Sequence, residues 1–66
     1  MNIQLNGELR EVADSINVAA LLAELGMSDR PVAVEVNREL VTKAEHESCQ
    51  LHEGDQVEIV TLVGGG

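Results

Sequence analysis

The chain has 66 residues and contains no Phe, Tyr or Trp. This length accommodates one small domain, whose core must be built from Leu, Val, Ile and Ala. Twelve acidic residues against four basic ones give a formal net charge of −8. Such a charge argues against nucleic acid as a partner, because the phosphate backbone would be repelled.

No feature of the sequence directs the protein to a membrane or out of the cell. No apolar run approaches the length of a membrane span, and no basic segment followed by an apolar stretch marks a secretory signal. Cys49 is the single cysteine and has no internal disulfide partner, which fits a reducing compartment. The sequence therefore predicts a cytoplasmic protein without a membrane partner.

The first predicted element is a β-hairpin. Ile3 and Leu5 alternate with polar residues, which is typical of a half-buried strand. Asn6 and Gly7 form a strong two-residue turn signal, because both residue types tolerate positive φ. The returning strand is expected over residues 8–12.

A helix is predicted next, over residues 18–25. Asn17 is a good N-cap, and apolar residues follow at the helical spacing i, i+3, i+4 and i+7, namely Val18, Leu21, Leu22 and Leu25. Gly26 lies where a helix end favours a residue with positive φ.

The second half of the chain is predicted to form mainly strands and turns. Val32–Val36 is rich in β-branched residues and is predicted to be a strand. The later expectations are a turn at 37–39, a short return strand from Leu40, a helical turn at 44–47, a short strand at 49–51, a turn at 53–55 and a final strand at 56–62.

This order of elements predicts an α+β fold, with one sheet and a single main helix packed on one of its faces. The predicted core comprises Ile3, Leu5, Leu21, Leu22, Leu25, Val34, Val57 and Ile59. A domain so small is expected to offer no concave pocket for catalysis, and the chain is accordingly not expected to be an enzyme.

The final strand predicts a docking surface. If Val57 and Ile59 face the helix, then Glu58, Val60 and Leu62 point to the open face of the sheet. Two exposed branched residues beside an acid favour a partner-binding patch. The alternative is a scattered pair of surface aliphatics, which is common in folded proteins.

A glycine run follows Val63 and comprises Gly64, Gly65 and Gly66. We expect a domain over residues 1–62 and a thin, flexible tail over 63–66, since glycine restricts the backbone little. Four extended residues reach about 13 Å, which allows the tail to thread a narrow channel and present the Gly66 carboxylate to another protein. The alternative is a frayed end without function.

Three residues show the spacing H-x2-C-x2-H, which resembles part of a metal site. They are His46, Cys49 and His52. A structural zinc site needs four ligands, and residues three apart on an extended segment point to opposite faces. We therefore predict two surface histidines and a half-buried thiol, with neither a metal nor a cofactor.

Four stretches of the chain resemble the ThiS family, sulfur carriers of thiamin (thiazole) biosynthesis. They are MNIQLNG at residues 1–7, VAVEVN at 32–37, GDQVEIV at 54–60 and LVGGG at 62–66. The resemblance spans the whole chain, and the diglycine ending is its most specific element. It implies the ubiquitin-like β-grasp fold, in which one mixed sheet packs against a single main helix.

The resemblance also implies a carrier cycle in which the protein is a co-substrate. A ThiF-type enzyme would adenylate the carboxylate of Gly66, and a persulfide from a cysteine desulfurase would convert it to a thiocarboxylate. The thiazole synthase ThiG would then take the sulfur. By matching positions, Gly66 is the covalent carrier residue, while Gly64 and Gly65 allow the tail to thread.

Two other functions stay open at the level of sequence. MoaD-like sulfur carriers of molybdopterin synthesis share the fold and the ending, although they are usually somewhat longer. A ubiquitin-like interaction module without sulfur chemistry would use the open sheet face and leave the terminus idle. Residues appended after Gly66 would disable a carrier but leave such a module unaffected.

Overall fold

The computed structural model describes residues 1–62. Within this range lie five strands, one α-helix and one 3-10 turn. In chain order they are β1 (Asn2–Leu5), β2 (Glu8–Glu11), α1 (Val18–Glu24), β3 (Val32–Val36), β4 (Glu39–Val41), the 3-10 turn (Lys43–Glu45) and β5 (Gln56–Thr61).

The five strands form one mixed sheet in the order β2-β1-β5-β3-β4. The pair β1 and β5 is parallel, and the other three neighbouring pairs are antiparallel. The last strand of the chain is therefore the central strand of the sheet. A mixed sheet with one helix confirms the predicted β-grasp fold.

Both hairpins turn on two residues with positive φ. Asn6 and Gly7 have φ values of 50° and 82°, as predicted, and Asn37 and Arg38 have values of 52° and 70°. The predicted turn at 37–39 was one residue too long, because Glu39 already pairs with Val36 as the start of β4. Arginine seldom adopts positive φ, so a two-residue turn at Asn37 and Arg38 was harder to predict than the one at Asn6 and Gly7.

The helix follows its prediction closely. Asn17 caps it, since its Oδ1 accepts a hydrogen bond of 2.7 Å from the backbone N–H of Ala20. The helix ends one residue early, with Leu25 as its C-cap, and Gly26 follows with a φ of 71°. Residues 18–25 were therefore predicted correctly apart from this capping residue.

Four further predicted segments differ from the structure in detail. The returning strand β2 ends at Glu11 rather than at residue 12. Residues 49–51 do not form a strand, because they pair only through an isolated bridge between Gln50 and Asn17. The predicted helical turn at 44–47 is the 3-10 turn Lys43–Glu45, where the Glu45 carboxylate accepts hydrogen bonds from Thr42. The final strand ends at Thr61 rather than at Leu62.

The core lies between α1 and one face of the sheet. Six of the eight predicted core residues are buried, and Leu5 and Leu25 are half-buried beside them. The buried residues that the prediction missed are Val12, Ile16, Val18 and Leu51. Leu51 belongs to an irregular segment, where no periodic pattern indicates burial.

Candidate functional site

The central strand β5 carries the predicted docking residues and is held on both sides. On one side it pairs with β3 from Val57 to Thr61, the last residue of β5. On the other side β1 is too short to follow it, and the side chain of Asn6 continues the pairing. Asn6 Oδ1 accepts from the N–H of Ile59 at 2.8 Å, while its Nδ2 donates to the Ile59 carbonyl at 3.3 Å. Backbone and side-chain hydrogen bonds therefore hold β5 along both of its edges.

Glu58 and Val60 lie on the open face of the sheet, as expected. Val57 and Ile59 are buried beneath the helix, while Glu58 is exposed and Val60 is 58% exposed. The alternation of β5 thus confirms the predicted exposure of these residues. Their role in docking stays a prediction.

Leu62 lies one residue beyond the end of β5. Its backbone N–H donates to the carbonyl of Pro31 at 2.8 Å, which holds Leu62 beside the residue that precedes β3. Its side chain is 52% exposed. Leu62 also lines a groove together with Leu22 of α1 and Val32. Its position on the open face of the sheet, beside Glu58 and Val60, stays a prediction.

The predicted carrier and threading residues Gly64, Gly65 and Gly66 lie outside the described residues. The division into a domain over 1–62 and a tail over 63–66 likewise stays a prediction. What the structure gives is the position of Leu62, the residue from which this segment continues.

The groove beside Leu62 was not predicted. It has a volume of about 500 Å³ and brings together Arg30, Lys43 and His46. The prediction that the domain offers no concave pocket for catalysis did not include this groove. Its one acid, Asp29, forms no ion pair with any residue between 1 and 62. The groove forms because the segment after α1 lies beside the 3-10 turn, and sequence periodicity gives no signal for such a contact between irregular segments.

The two histidines and Cys49 do not all converge on one site. Cys49 and His52 line a groove together with Glu45 and Asp55. His46 is half-buried, so the prediction of surface histidines holds for His52 alone. His46 lines the groove beside Leu62, whereas His52 is exposed, with its Nδ1 3.8 Å from Oδ2 of Asp55. Within residues 1–62, no three His, Cys, Asp or Glu residues are placed to hold a metal ion.

Cys49 is a half-buried free thiol. Burial is the main cause that raises its pKa, and the carboxylates of Asp55 and Glu45 add to this effect. The reactive thiolate form is therefore disfavoured. Cys49 is poorly suited to act as a nucleophile or to accept sulfur.

Over the part of the chain that the structure describes, no helix is both long and apolar enough to cross a bilayer.

The whole chain was compared with known proteins. The sequence model of the ThiS family matches residues 3–66. The chain belongs to the ThiS family. This membership confirms the resemblance found in the four sequence stretches above.

Individual members and relatives agree with this assignment. The sulfur carrier protein ThiS of Bacillus subtilis is 35% identical over 65 residues, which cover 97% of this chain and 98% of that protein. The crystal structure of the thiamine biosynthesis protein ThiS from Geobacter metallireducens superimposes with a TM-score of 0.86 at 35% identity, and each chain is covered completely. The fold and the family are thus established together.

A longer protein is also similar to this ThiS-family chain. A thiazole synthase of Paramagnetospirillum magneticum is 46% identical over 66 residues, which are 100% of this chain but 20% of that protein. The chain therefore spans about a fifth of the length of the curated relatives that it matches first.

Proposed function

We propose that this ThiS-family domain is a sulfur carrier of thiamin biosynthesis and acts as a co-substrate of other enzymes. The observation that carries the proposal is the match to the Bacillus subtilis sulfur carrier protein ThiS over almost the full length of both chains.

The proposed chemistry takes place on the carboxylate of Gly66. A carboxylate is a poor electrophile, so a ThiF-type enzyme first joins it to AMP from ATP and releases pyrophosphate. The terminal sulfur of a persulfide, supplied through a cysteine desulfurase, attacks the acyl carbon, and AMP leaves. The product is an acyl disulfide that keeps the S–S bond of the persulfide. A thiol then attacks the sulfur on the donor's side of this bond, forms a disulfide with the donor and releases the thiocarboxylate. Gly64 and Gly65 allow the segment to enter a narrow channel.

We further propose that the carrier docks through Glu58, Val60 and Leu62. Two of these residues are exposed aliphatic side chains beside the point where the glycine segment begins. Apolar contacts there would hold the domain while the segment enters the partner's active site. The firm anchoring of β5 supports this role, because a rigid platform loses little conformational freedom on binding.

The thiazole synthase ThiG is the proposed recipient of the sulfur. The relative named thiazole synthase in Paramagnetospirillum magneticum contains a segment that matches this entire chain. A single protein that is named thiazole synthase and contains a segment similar to this carrier supports a partnership between carrier and synthase. The same comparisons favour the thiamin pathway over a MoaD-like role in molybdopterin synthesis.

Reconstitution tests the proposal. The protein is incubated with the ThiF-type enzyme of its own organism, ATP and a persulfide donor, and its mass is then measured. We expect the mass increase of an oxygen replaced by sulfur. Gly65→Ala and deletion of Gly66 should abolish or severely reduce this product and leave the melting temperature unchanged, because deletion withdraws the carboxylate by about 3.3 Å. Normal sulfuration of the shortened protein would refute the proposal.

A further inference from the structure

The open face of the sheet, opposite α1, brings two glutamates side by side. Glu35 of β3 is paired directly with Glu58 of β5. Residues paired in this way point to the same face, with β-carbons about 4.5–5.5 Å apart. Both side chains are exposed, and neither takes part in an ion pair with any residue between 1 and 62.

The neighbours of this pair on the same face are uncharged. Leu40 of β4 lies opposite Glu35, and Val60 follows Glu58 along β5, opposite Ala33. No basic residue of the sheet therefore lies directly across from either carboxylate. Like charges directly opposite each other destabilise a sheet, so the free domain bears a cost that a neutral residue at either position would remove.

Two large apolar side chains flank the two acids. Leu40 is 65% exposed and Val60 is 58% exposed. We name the surface formed by Glu35, Leu40, Glu58 and Val60 the acidic-apolar patch. It spans three adjacent strands, about 10 Å across, and combines a concentrated negative charge with an apolar surround.

We propose that the acidic-apolar patch receives an arginine side chain of the activating enzyme, with Leu40 and Val60 packing against apolar groups around it. This inference rests on the proposed carrier function and extends its docking face from β5 to β3 and β4. A planar guanidinium carries five N–H donors and can bridge two carboxylates. Its charge also neutralises the repulsion between Glu35 and Glu58.

Charge complementarity favours a basic partner over a second copy of the chain as the occupant of the acidic-apolar patch. Two copies packed through the same face would bring four carboxylates together without a cation, and each copy has a net charge of −8. Like-charge contact of this kind disfavours association. The patch therefore selects a partner whose own surface is basic at the point of contact.

The inference predicts opposite effects on stability and on binding. Glu35→Gln and Glu58→Gln each remove the like-charge contact, so each variant should raise the melting temperature of the free domain. Each should also weaken binding of the ThiF-type enzyme from the same organism by about tenfold at low salt. In the double variant, the loss should be smaller than the product of the two single losses, because one cation serves both acids.

The matched control changes the same charge elsewhere. Glu24→Gln combined with Glu47→Gln removes two exposed acids that lie outside the sheet, at the end of α1 and after the 3-10 turn. Binding by calorimetry and melting temperature are measured for all variants. The control should bind nearly as well as the wild type, which separates a local contact from the effect of net charge.

Each contrary outcome has a distinct meaning. Equal binding by the Glu35 and Glu58 variants and the control would overturn this inference, while adenylation of the wild type would keep the carrier function in place. A lowered melting temperature together with weaker binding would assign the pair a structural role and would also overturn it. A wild type that neither binds nor is adenylated would refute the proposed function and this inference with it.

Discussion

At the scale of single residues, the state of Cys49 distinguishes two ways in which the protein could carry sulfur. A persulfide on this thiol is the alternative to a thiocarboxylate on Gly66, since no other cysteine is present. Burial and two nearby acids raise the pKa of Cys49, so the thiolate that would accept sulfur is scarce at neutral pH.

Cys49→Ala is therefore expected to be loaded with sulfur at the wild-type rate within about twofold. The wild-type thiol should also react with iodoacetamide more slowly in the native protein than in urea, where burial is lost. Loss of sulfur loading in a folded Cys49→Ala protein would show that the thiol takes part in the transfer.

Glu45 predicts a pH-dependent contribution to stability. Its carboxylate accepts hydrogen bonds from Oγ1 and the backbone N–H of Thr42 at 2.7 and 3.1 Å, and these bonds lower its pKa below the ordinary value of 4.5. A carboxyl group whose pKa is lower in the folded state stabilises the fold above its unfolded pKa. This contribution is lost as the pH falls through the folded pKa.

Glu45→Gln should accordingly lower the melting temperature at pH 7, and the difference from wild type should shrink as the pH falls below the folded pKa of Glu45. Glu47→Gln is the matched control, because the Glu47 carboxylate accepts no hydrogen bond from any of residues 1–62. A difference that stays constant down to low pH would contradict the role of the ionised carboxylate.

At the scale of elements, local signals predicted the helix and the hairpin turn well. The conformational preferences of the capping and turn residues depend only on neighbours close in sequence. The structure has the expected N-cap at Asn17 and the expected positive φ at Asn6, Gly7 and Gly26. The site was less predictable. The contact between Glu35 and Glu58 depends on the register of two strands far apart in sequence. The alternation of polar and apolar residues along a strand predicts the face of the sheet on which each glutamate lies. It does not predict which residue of the adjacent strand lies opposite.

The packing of the helix has a direct mutational test. Leu22 is 4% exposed, so Leu22→Ala should destabilise the domain by about 2–5 kcal/mol. The same substitution at Leu9, which is 71% exposed, should change the free energy of unfolding by no more than about 0.5 kcal/mol. Urea denaturation measures both. Equal effects at the two positions would mean that α1 does not bury Leu22.

At the scale of the whole molecule, charge is distributed unevenly along the chain. Lys43 is the last basic residue, and five acids follow it. The acids of this half include Glu58 on the proposed docking face. This end of the chain therefore presents a strongly negative electrostatic field to a partner. Such a field attracts a partner whose active-site entrance is basic.

Added salt should slow association with the ThiF-type enzyme. The screening length falls from about 10 Å at 0.1 M ionic strength to about 3 Å at 1 M, so attraction between exposed charges weakens while apolar contacts persist. Stopped-flow measurement of the association rate is expected to show a steep decrease with salt and a smaller change in the dissociation rate. An association rate independent of salt would contradict electrostatic steering.

The central claim is that Gly66 carries sulfur as a thiocarboxylate. The most direct measurement is the intact mass of the protein isolated from its own host, followed by fragmentation that locates any modification. We predict a fraction of molecules with the mass increase of oxygen replaced by sulfur, confined to Gly66. Sulfur found on Cys49, or no sulfur-bearing form in cells that are actively making thiamin, would contradict the account.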